Sequence, residues 1–99
     1  MRLRVHRSTD DPETLLLDCQ SAVYSHLTSR FVIPLVEIGR APPALPKINP
    51  TFRFAGERYV LMTNHAATMP ARELGEVVGS LAGEHITVSR ALDALLSGY

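Results

Sequence analysis

Four histidines, His6, His26, His65 and His85, are the side chains best suited to proton transfer near neutral pH, and they stand twenty residues or more apart. None shares the short spacing that sets two ligands on one helix or strand, so neither a metal site nor a cofactor is expected. Cys19 is the single cysteine, which excludes an internal disulfide and reads as a small buried hydrophobe. The sequence holds no glycine-rich phosphate loop and no G-x-S-x-G nucleophile elbow. What remains is a base or acid beside an arginine, the pairing that phosphodiester cleavage uses to move a proton and offset the charge of a phosphorane. His65 with Arg58, or Arg30 beside Ser29, are the candidates. Surface ion pairs and polar strand ends account for the same residues equally well.

Charge narrows the range of partners. Ten Lys and Arg balance ten Asp and Glu, with a pI near 6.9, whereas a protein that tracks a phosphate backbone needs a basic excess. Direct nucleic-acid binding is therefore not expected. The 99 residues, 45% hydrophobic and free of tryptophan, predict one domain over residues 1–99 with an aliphatic core. Leu15, Leu16 and Leu17 are too short an apolar run for a signal region, and no membrane span is expected, so the chain reads as cytoplasmic.

These residues must be carried by elements, and hydrophobic periodicity supplies them. Leu3 and Val5 alternate with Arg2, Arg4 and His6, the pattern of a strand with one wet face. Asp10, Asp11 and Pro12 make a turn into a second strand over Thr14–Cys19. Asp18 to Ser21 then offers polar side chains that bond their own backbone and turn the chain. RFVIPL, Arg30 to Leu35, is a third strand, and Pro34 confines it to an edge, a bulge or a strand end, so it is expected to finish or bend there.

Four prolines between Gly39 and Pro50 predict a surface loop. Phe52 and Phe54, the turn Ala55-Gly56-Glu57 and the return strand Tyr59–Met62 form the clearest hairpin. His65–Pro70 suggests a short strand. Arg72–Val78 is ambiguous, with charges for a helix but Gly75 and two valines against one. From about Glu84 the period becomes helical: Val88, Leu92, Leu95 and Tyr99 share one face, on which Leu92 and Leu95 are expected to be buried, with Thr87, Arg90, Asp93 and Ser97 largely opposite. Gly98 is suited to end that helix. Strands first and a helix last favour a small twisted antiparallel sheet or partial barrel over a parallel sheet with a nucleotide crevice.

In order and spacing, Leu17, Asp18, Gln20 and Ser21, then RFVIPL, the Phe54–Met62 hairpin, Met62-Thr63, Met69-Pro70 and the terminal Gly98 resemble the CcdB family of bacterial toxins. The resemblance spans nearly the whole chain. It implies a mainly β fold, an SH3-like partial barrel of antiparallel strands with a C-terminal helix, and a homodimer. It also implies a non-enzymatic toxin of a type II toxin–antitoxin system that traps the DNA gyrase A subunit and is neutralised by a CcdA-like antitoxin.

Carried over position by position, Ser97, Gly98 and Tyr99 match the tryptophan, glycine and terminal isoleucine at the family's gyrase-contacting helix end. Val23 and Tyr24 match contacts in the segment after the Asp-x-Gln-Ser group, and Asp93 stands where an asparagine is typical. The implied target-binding set is Val23, Tyr24, Asp93, Leu96, Ser97, Gly98 and Tyr99. Two rivals belong to other classes. The MazF endoribonucleases resemble this fold, and Ser97 in place of the tryptophan recommends a binding module that kept the fold and lost the toxicity.

Overall fold

Leu15, Leu16 and Leu17 are all buried, although successive side chains on a strand point to opposite faces. Their strand must be covered on both sides. In the computed structural model, which describes residues 1–98, they lie in β2 (Leu15–Asp18), flanked by β1 (Arg4–Ser8) and β3 (Ser29–Glu37). The other elements are β4 (Thr51–Phe54), β5 (Glu57–Leu61), β6 (Ala67–Pro70), β7 (Leu74–Ser80) and the helix α1 (His85–Ser97). All strand pairs are antiparallel, in the order β4-β5-β3-β2-β1-β7, with β6 pairing the first half of β3.

The fold is the expected mostly antiparallel partial barrel with a C-terminal helix. One core unites the sheet and the helix through Leu3, Val5, Leu17, Ile33, Leu35, Leu61, Val88 and Ala91. Gly39–Pro50 forms the predicted loop. Asn49 ties it down: its buried amide donates to the Leu61 carbonyl and the Asn64 side chain, and its oxygen accepts the Leu45 N–H.

Pro34 corrects the sequence-based expectation for the third strand. β3 neither ends there nor lies at an edge; it continues to Glu37 and is central. The N–H and C=O of one residue in an antiparallel strand point the same way. The Pro34 carbonyl accepts the Met62 N–H, so its missing N–H faces the place where β3 exchanges one partner, β6, for another, β5. The proline occupies the gap between two partners, where no strand asks it for a donor.

β7 resolves the ambiguous segment. Its glycines obscure the alternation, and both are required by close approach. A Cβ at Gly75 would lie 2.5 Å from the Arg7 carbonyl oxygen, and one at Gly79 would lie 2.5 Å from the Phe54 ring. β4 and β7 end the strand order, so the ring of Phe54 on Gly79 joins the two ends of the barrel by a side chain.

The helix begins and ends where its periodicity predicts, but its buried face is smaller in volume. Val88, Ala91 and Ala94 are buried and Leu92 half-buried, with the helix packed against the turn Thr63–His65. Leu95, expected in the core, is 40% exposed. It keeps the angular position of Val88, two turns on, so the apolar stripe outruns the surface that covers it.

Candidate functional site

The last turns of α1 form one exposed patch. Leu96 is 79% exposed and stands beside Asp93, Ser97 and Gly98, all on the surface. Gly98 adopts φ 79°, the left-handed conformation that costs a side-chain-bearing residue about 1–2 kcal/mol. Its N–H donates to the Ala94 carbonyl at 2.8 Å, closing the helix. Tyr99 lies outside the described residues.

A second exposed patch is built by the polar group that follows β2. The Asp18 carboxylate accepts the Gln20 N–H, and Ser21 Oγ accepts the Val23 N–H, capping a single 3₁₀ turn over Ala22–Tyr24. Val23 is 74% exposed and Tyr24 54%. Gln20 clamps the turn: its Nε2 donates to the Tyr24 carbonyl and its Oε1 accepts the Phe31 N–H, each at 2.9 Å. Arg30 clamps the return, donating to the carbonyls of Ser25, Leu27 and Ser29. Sequence reasoning found the turn but not these clamps, which need β3 brought alongside. Among the described residues, no hydrogen bond or ion pair joins the two patches.

The nuclease pairings drawn from sequence are not assembled. Arg58 and His65 are both exposed, and the Arg58 guanidinium donates to Thr51 Oγ1 instead. Arg30 is committed to backbone carbonyls and lies 3.9 Å from the buried Asp18. The structure gathers a different group. Arg2, Arg4, His6, Asp18 and Arg30 line a half-open pocket of about 170 Å³ closed by Leu74 and Gly75. The signal was present in the sequence, because Arg2, Arg4 and His6 share the wet face of the β1 segment. What periodicity could not supply was the partner wall from β7. His6 Nδ1 lies 3.0 Å from the Gly75 carbonyl, which can only accept, so Nδ1 is the donor in this contact.

Cys19 is chemically quiet. Burial first, and the neighbouring Asp18 charge second, push its thiol up to about 12. Its Sγ lies 3.6 Å from the Leu17 carbonyl. Among the described residues, no group of three or more His, Cys, Asp or Glu side chains is placed to hold a metal ion, and no helix is long and apolar enough to cross a membrane.

Comparison with known proteins supplies two findings. The family model described as CcdB protein matches residues 2–98. Among solved structures, the Mycobacterium tuberculosis toxin MazF-mt6 superposes with a TM-score of 0.68 over 94% of this chain and 95% of that one, at 19% identity. That identity supports a shared fold alone. No curated protein matches the chain.

Proposed function

From the premise that the chain belongs to the CcdB family, the toxins of toxin–antitoxin systems, we propose that it binds the DNA gyrase A subunit, traps the gyrase–DNA complex, and is neutralised by a CcdA-like antitoxin. The observation that carries this reading is the exposed apolar end of α1, where Leu95 and Leu96 lead into the left-handed Gly98. Large apolar side chains held in water at a rigid helix end are typical of a recognition surface. The mechanism requires no bond to be made or broken by the toxin: preferential binding to one state of the enzyme cycle populates that state.

A homodimer suits this target. An enzyme with paired A subunits presents two-fold symmetry, and a dimer offers one identical patch to each. The second contact then forms at high effective concentration. The binding set is Val23, Tyr24, Asp93, Leu96, Ser97, Gly98 and Tyr99. Val23 and Tyr24 contribute a second apolar patch on a turn that Gln20 and Arg30 hold fixed. Ser97 in place of the family tryptophan shifts weight from a large ring to Leu96 and Tyr99.

Growth arrest on expression, relieved by a co-expressed antitoxin, tests the reading; unimpeded growth would favour the non-toxic binding module. An endoribonuclease is the second reading, and one observation favours it: His6 shares a pocket with Arg2 and Arg4. The balanced charge of the chain weighs against it. Site-specific cleavage of RNA by the purified protein, absent in His6→Ala, would select that reading instead.

A further inference from the structure

The pocket between β1 and β7 carries more positive charge than the fold uses. It sets three guanidinium groups against one carboxylate, since Arg2, Arg4 and Arg30 surround Asp18. Asp18 and Arg30 answer each other at 3.9 Å and are largely buried. Arg2 and Arg4 are left over: among the described residues neither pairs with a carboxylate, and unlike the other arginines without an ion pair they share one pocket. Arg2, half-buried, and Arg4, exposed, line this concave space together and make an anion site, because the guanidinium fork suits an oxyanion.

Backbone strain points to the same place. Leu3, fully buried between the two arginines, holds φ 54°, a conformation that costs a non-glycine residue about 1–2 kcal/mol. Such outliers gather at binding sites more often than elsewhere.

We propose that this pocket binds the carboxylate of an aspartate or glutamate side chain in a peptide partner. Two features favour that ligand over a nucleic-acid phosphate. The chain carries as many acidic as basic residues, so beyond the pocket little positive charge is available to hold a polyanion, whereas a single carboxylate needs none. Leu74 offers an apolar wall to side-chain methylenes, and no tryptophan, tyrosine or phenylalanine lines the pocket itself to stack a base. The pocket also adjoins the Ala22–Tyr24 turn: the Arg2 N–H donates to the Gln20 carbonyl, and Gln20 clamps that turn. A peptide seated against Val23 and Tyr24 can therefore reach it. This inference stands whether or not gyrase is the target.

Heteronuclear NMR of the whole protein, titrated separately with N-acetylglutamate N-methylamide, inorganic phosphate and a single-stranded RNA oligonucleotide, tests it. The expected result is a saturating shift of the arginine Nε–H signals and the His6 and Gly75 amides with the glutamate probe. Affinity falls about tenfold in Arg2→Gln/Arg4→Gln, as expected for loss of charge-assisted contacts, and part of the way in Arg4→Gln alone. Neither arginine side chain holds the fold together, so spectra away from the pocket stay unchanged. Linear, non-saturating shifts, or equal affinity in the double variant, would overturn the site. Tighter binding of phosphate or RNA at the same signals would overturn the carboxylate assignment.

Discussion

Cys19 shows how far a single side chain can be read. As the single cysteine it reads as a small buried hydrophobe, and the structure places it 5% exposed with its pKa raised to about 12. Because the folded value stands above the ordinary 9.0, the native protein keeps a proton that the unfolded chain releases. Stability is therefore undiminished by this group below pH 9.0 and declines as pH rises towards 12. Tyr59 acts in the same direction, raised by burial and then by the charges of Glu37 and Glu57. Thermal unfolding across mildly to strongly alkaline pH should show a steeper loss for the native sequence than for Cys19→Ala, and iodoacetamide should label the thiol only once urea unfolds the chain. Rapid labelling of the folded protein would contradict this. Legibility stopped where a side chain acts across the sheet: nothing local to Gln20 or Arg30 says that both fix the turn bearing Val23 and Tyr24.

Elements were legible where their period is uninterrupted. The helix and the β4–β5 hairpin fell at the predicted places, because amphipathic spacing and a two-residue turn are local properties. Pro34 and β7 were misread or left open because their logic is tertiary: a proline is harmless only where a neighbouring strand leaves a gap, and Gly75 and Gly79 serve backbone and ring contacts distant in sequence. The hairpin turn carries a cost of its own. Ala55 sits at φ 52°, beside Gly56 at φ 84°, the geometry of a mirror-image turn that favours asparagine or glycine. Ala55→Gly is expected to stabilise the protein by about 1 kcal/mol, read as a higher denaturant midpoint at constant slope. A lower midpoint would mean that the alanine methyl makes compensating contacts. Gln20→Ala should loosen the Ala22–Tyr24 turn, raising its hydrogen exchange and weakening partner binding while α1 stays protected; unchanged exchange there would remove Gln20 from its positioning role.

At the scale of the whole molecule, the sheet and helix form a rigid mount for two patches whose apolar side chains remain in water. The fold neighbour MazF-mt6 shares that mount at 19% identity, so architecture cannot separate a gyrase-binding toxin from other chemistries. The choice rests on surfaces: the helix end that runs past its cover, and a basic pocket poor in the continuous positive charge a nucleic acid requires. The same geometry separates stability from function. Gly98 follows the last helical residue and is exposed, so among the described residues the core and the sheet do not depend on it. The most direct measurement is DNA supercoiling by purified gyrase with this protein added, run beside the variant lacking Gly98 and Tyr99. Inhibition with accumulation of cleaved DNA is expected for the full chain. Binding weakened by about 2 kcal/mol or more, hence no inhibition at the same concentration, is expected for the folded truncated variant. Undisturbed supercoiling by the full chain, or equal inhibition by both proteins, would contradict a gyrase-binding helix end.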